Sequence, residues 1–114
     1  MSGKILVIDD ELLILNTVEK ALARVGYSVA KAQNMEELGA VLTEAPFDLM
    51  ITDLHMDEDT VENIIERVRQ TSPDVKVLLM SGGSYNADAD NFIEKPFKLE
   101  ELRQKVRAYL HASS

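Results

Sequence analysis

Three short apolar runs, "KILVI" at 4–8, "FDLMIT" at 47–52 and "VKVLLM" at 75–80, stand out from the more polar sequence around them. Runs of this length without strict polar alternation fit strands covered on both faces. Between the first two, the pattern changes to helical spacing. Leu15, Val18, Leu22 and Val25 recur three and four positions apart, and Gly26 follows where a helix C-terminal cap belongs, which predicts a helix over 11–25. "YSVAKA" at 27–32 is a weaker strand. Asn34 with Glu37 three residues on has the form of a capping box and opens a second helix that must end before Pro46. A third helix is predicted near Val61 to Thr71, closed by "SPD", a fifth strand at "NFIE", and a final helix from Leu99 to Leu110 with Leu102, Val106 and Leu110 on one stripe.

Strand and helix alternate almost throughout. This order predicts an α/β domain with a parallel sheet, helices on both of its faces and right-handed crossovers. The interruption is "SGGSYNADAD", Ser81 to Asp90, which is too short and too glycine-rich for an ordinary crossover helix.

Composition narrows the picture. A chain of 114 residues has length for one core, so a single domain over 1–114 is expected. The absence of cysteine excludes disulfides, thiolate metal sites and thiol catalysis. A formal charge of -8 repels nucleic acid backbones and anionic membrane surfaces, so neither is an expected partner. No apolar run approaches the roughly 20 residues of a membrane span and no leader pattern is visible, which leads to the expectation of a cytoplasmic protein.

In an open parallel sheet, the loops at the carboxyl ends of the strands converge on a crevice. Here those ends carry Asp9 and Asp10, then Asp53, then Ser81, then Lys95 followed by Pro96. Singly, each has a structural explanation: Asp10 could cap the first helix, Asp53 could end a strand at a turn, Ser81 could begin a loop and Lys95 could be a solvated charge. Together they form a set. Three clustered carboxylates repel unless a cation joins them, and oxygen donors without cysteine suit a hard divalent ion such as Mg2+.

"VIDDE" after the first strand, "DLMITDLHM" at the third, "LLMSG" at the fourth and "FIEKPF" at the fifth resemble the receiver domains of two-component response regulators, in order and spacing, over essentially the whole chain. The resemblance implies a doubly wound, flavodoxin-like, five-stranded parallel sheet of order 2-1-3-4-5. It also implies a phosphorylation-dependent signalling switch rather than an enzyme. Asp53 matches the aspartate that accepts a phosphoryl group from a sensor histidine kinase or a histidine phosphotransfer protein. Asp9 and Asp10 match the pair that holds Mg2+, with the backbone carbonyl of His55 as a further ligand whose side chain is free to vary. Ser81 matches the hydroxyl that bonds the phosphoryl oxygen, Lys95 the lysine that pairs with it, and Phe92 the aromatic switch residue. The Lys95-Pro96 bond matches one that the family keeps cis. A separate downstream effector protein is the implied output.

Two departures stand beside the match. Receivers usually carry proline and glycine where this chain has Asp57 and Val61. Only 13 residues separate Ser81 from Lys95, so the family's fourth helix is expected to be missing or much reduced, with the loop 82–90 lying loosely over that part of the sheet. A receiver-like interaction module that is not phosphorylated is the alternative reading, disfavoured by the intact site residues. An aspartyl-phosphate phosphatase would need D-x-D at the nucleophile, where this chain has His55 at the second aspartate's place. A nucleotide-binding fold would need a glycine-rich loop after the first strand. His111 lies near the chain end, and His55 lacks a second histidine as co-ligand.

Overall fold

In the computed structural model, residues 3–56, 59–82 and 91–111 are described. The apolar runs become strands β1 (Lys4–Ile8), β3 (Leu49–Asp53) and β4 (Lys76–Ser81), joined by β2 (Ser28–Ala32) and β5 (Phe92–Glu94). The helices are α1 (Leu12–Ala23), α2 (Met35–Val41), α3 (Val61–Arg69) and α4 (Leu99–His111). All strand pairs are parallel and the order is β2-β1-β3-β4-β5.

Alternation along the central strands sorts their side chains into two cores. Ile5, Val7, Leu49, Ile51, Leu78 and Met80 meet α1 through Leu15, Val18 and Leu22, and α4 through Leu102 and Val106. Leu6, Ile8 and Met50 meet α2 through Leu38 and α3 through Ile64 and Val68 on the other face. β3 is buried at all five positions, which is why its sequence lacks a polar alternation. The layered arrangement therefore follows from a sheet whose middle is apolar on both sides.

Local signals set the helix ends. Asn34 accepts a hydrogen bond from the Glu37 N–H at 2.9 Å, while Glu37 Oε1 accepts from the Gln33 N–H at 2.7 Å, one residue earlier than a capping box would place it. Asn34→Ala removes this cap and is expected to lower unfolding stability by about 1 kcal/mol, read by urea denaturation. An unchanged midpoint would mean that the cap contributes nothing. α2 then tightens into a 3-10 turn, Leu42–Glu44, ahead of a cis Ala45-Pro46 bond.

α1 is shorter than its apolar stripe. It ends at Ala23, with Gly26 at φ +98 turning the chain, and Val25 is left 37% exposed instead of joining the core. The expectation of a missing or reduced helix between the fourth and fifth strands falls on residues 83–90, outside the described residues, as does Asp57. Of the neighbouring strand, Val77 packs against the second core and Leu79 is half-buried.

Candidate functional site

Because every strand runs the same way, the carboxyl ends of β1, β3, β4 and β5 lie along one sheet edge. Register places them level: Ile8 pairs with Thr52, Asp53 with Met80 and Ser81 with Glu94. Backbone hydrogen bonds extend this alignment, from the Asp9 N–H to Ala32 O at 3.2 Å, from the Leu54 N–H to Met80 O at 2.8 Å and from the Lys95 N–H to Ser81 O at 2.7 Å. The side chains at issue therefore project from fixed backbone positions.

Asp9 is fully buried, Asp53 is 6% exposed and Asp10 is exposed, yet each offers an oxygen lying within 4.8 Å of the others. Lys95 Nζ stands beside the two buried ones, 2.7 Å from Asp9 Oδ2 and 3.3 Å from Asp53 Oδ2, with Glu11 Oε1 at 4.0 Å. The second oxygens of the two buried carboxylates are also held. Asp9 Oδ1 accepts from the Glu11 N–H at 2.9 Å, and Asp53 Oδ1 accepts from the His55 N–H at 3.0 Å.

Burial pushes the Asp9 carboxyl above its ordinary value of 3.8, with the hydrogen bonds from Lys95 and the Glu11 N–H pulling it only part of the way back. For Lys95, burial acts to lower the ammonium, but the hydrogen bond and charge of Asp9, aided by Asp53, outweigh it and hold the group above 10.5. One ammonium thus faces two buried carboxylates, with the Asp10 carboxylate at the rim beside them. Such a set of hard oxygens with surplus negative charge fits a small divalent cation.

Asp10 does not cap α1: the cap position is Glu11, which makes no side-chain cap bond. The Asp10 backbone carbonyl instead accepts from Gln33 Nε2 at 3.1 Å, leaving its carboxylate at the mouth of the cluster. Phe92 is buried on β5, the Lys95-Pro96 bond is cis, and a Cβ built on Gly82 meets nothing within 4 Å. Nothing in the sequence assigns a role to the His55 side chain. In the structure its Nε2 lies 3.1 Å from the Oγ of Ser81, which is itself fully buried. That contact joins residues far apart in sequence and has no local signature.

Comparison with known proteins agrees with this arrangement. The response regulator receiver domain family matches residues 5–107. The DNA-binding transcriptional regulator NtrC of Azospirillum brasilense is 30% identical over 99% of this chain and 25% of its own length. Response regulator MprA of Mycobacterium bovis is 30% identical over 96% of this chain and 51% of its own length. The chain therefore spans about a quarter to a half of these curated relatives. Among solved structures, the response regulator TrrA of Thermotoga maritima, in complex with Mg2+ and a beryllium fluoride, is 30% identical with a TM-score of 0.77, covering 94% of this chain and 98% of that one.

Proposed function

The chain belongs to the response regulator receiver domain family, a phosphorylation-dependent signalling switch, and from that premise we propose that Asp53 is its phosphoacceptor. The observation that carries the assignment is the setting of the Asp53 carboxylate, nearly buried between the Lys95 ammonium and the His55 N–H, beside Asp9 and Asp10. An oxygen of Asp53 forms the new bond to phosphorus while the bond from phosphorus to a donor's imidazole nitrogen breaks, and the leaving imidazole keeps the electron pair. This is positioning and charge compensation rather than proton transfer. Lys95 pairs with the incoming phosphoryl oxygens, and the Ser81 hydroxyl bonds one of them after transfer.

Asp9, Asp10, Asp53 and the His55 backbone carbonyl would hold Mg2+. When bound, the ion would offset the charge shared by the phosphoryl oxygens and the carboxylates. The donor is a phosphohistidine on a sensor kinase or phosphotransfer protein, and the output passes to an effector that reads the altered surface. The chain takes part in its own phosphorylation without serving as a turnover enzyme. We place it in the cytoplasm; among the described residues no helix is long and apolar enough to cross a membrane.

Intact mass after incubation with acetyl phosphate and Mg2+ tests this reading, a single phosphoryl adduct being the expected result and an unchanged mass the contrary one. Metal binding has its own test. Binding to the folded state alone raises the melting temperature by mass action. Asp10→Asn is expected to lose most of the Mg2+-induced shift while melting higher than the parent without the ion, since one of three mutually repelling carboxylates is gone. A full Mg2+ shift in that variant would remove Asp10 from the ligand set.

A further inference from the structure

We propose that the His55 imidazole is a resting-state latch on Ser81, holding the hydroxyl that the phosphoryl group must capture. The proposal rests on the reading of Asp53 as phosphoacceptor and adds to it a competitor built into the neighbouring loop. Ser81 is fully buried at the end of β4, and His55 Nε2 is among its partners, 3.1 Å from the Oγ. A serine hydroxyl has one proton. Donated to Nε2, that proton is not available to a phosphoryl oxygen on Asp53, so the two bonds exclude each other.

The placement of the imidazole follows from the backbone. The His55 N–H is anchored on Asp53 Oδ1 at 3.0 Å, which fixes the backbone beside the acceptor carboxylate, and from there the ring reaches Ser81 on β4. One residue therefore touches Asp53 through its main chain and Ser81 through its side chain. Phosphorylation of Asp53 changes the group on which this anchor rests at the same time as it offers Ser81 a charged acceptor. Charge-assisted bonds are roughly twice as strong as neutral ones, so the phosphoryl group wins the exchange, but against a latch that holds the unmodified chain at rest. His55 acts here as a positioning residue for Ser81.

Removing the latch makes capture of the phosphoryl group easier. His55→Ala is expected to bind the phosphoryl mimic beryllofluoride with Mg2+ about two- to fivefold more tightly than the parent, the range of one partly exposed neutral hydrogen bond. His55→Gln, which keeps an acceptor at a similar reach, is expected to return most of the way. Titration calorimetry gives these affinities. Nitrogen-15 NMR of the imidazole reads the latch without any mimic. The Nε2 signal of His55 should have the position of a hydrogen-bonded acceptor and should move on Ser81→Ala, and move in the same direction when the mimic binds to the parent chain. An Nε2 signal indifferent to Ser81→Ala overturns the latch, as does mimic affinity in His55→Ala equal to or weaker than the parent's. The weaker result would mean that Nε2 donates and strengthens Ser81 for its partner. A parent chain that ignores the mimic while His55 still responds to Ser81→Ala overturns the phosphoacceptor reading, and the competition with it.

Discussion

Asp53→Asn should carry no phosphoryl group after incubation with acetyl phosphate and Mg2+, against a clear adduct on the parent chain. The expected effect is complete because the amide is a far poorer nucleophile than the carboxylate, and no other described carboxylate has the same surroundings. Asp9 Oδ2 is committed to Lys95 at 2.7 Å and its residue is wholly buried, while Asp10 stands at the rim without the ammonium beside it. The fold should survive, since Asn can still accept the His55 N–H bond. Circular dichroism confirms folding, and intact mass reads the adduct. Equal labelling of the variant would place the phosphoryl group elsewhere on this edge.

Lys95→Met should be the most destabilising of the substitutions considered, by about 3 kcal/mol near neutral pH in the absence of divalent ions, because it strips the counter-charge from two buried carboxylates. The lower end of the usual range applies, since the Lys95 side chain is 13% exposed and water screens part of the pair. The pH dependence identifies the cause. Lys95 is raised in the folded state, so its contribution is fully present below 10.5 and is lost as pH rises through the folded value. Asp9 is also raised, so its protonated form favours folding: that contribution is present below 3.8 and is lost as pH rises through the folded value. Without Lys95 the Asp9 carboxyl rises further, since burial then acts with less opposition. The stability gap between parent and variant should therefore be widest in the neutral range and narrow at both extremes. Denaturant unfolding across pH measures it, and a gap of constant size would mean that packing, not charge, was lost.

The sheet was legible because its central strands are buried on both faces, a condition that leaves "KILVI" and "FDLMIT" almost without polar residues. The site was legible for a related reason. Parallel strands put their carboxyl ends together, so Asp9, Asp53, Ser81 and Lys95 could be grouped without knowing any distance. What escaped was tertiary. Val25 continues the spacing of α1, but the chain turns at Gly26 before that stripe reaches the core. The bond from Gln33 to the Asp10 carbonyl and the contact between His55 and Ser81 join loops whose proximity only the folded sheet creates. Glu11 follows Asp9 and Asp10 directly, but its side chain is 64% exposed and merely flanks Lys95.

The pairing order also bears on how the chain is made. β1 pairs with β2, the next strand in the chain, with Ile5 opposite Val29, but its other edge waits for Leu49 and the rest of β3. A nascent chain leaving the ribosome amino terminus first therefore displays one naked, apolar strand edge while α2 is still being synthesised. Unpaired edges of this kind invite pairing with other chains. Lys4, at the start of β1, supplies a charge at that edge, and in the finished fold its N–H is taken by Asp48 Oδ2 at 2.8 Å, just ahead of the strand that closes the gap. A strand paired on both edges in the mature sheet thus waits for the second of its neighbours during synthesis.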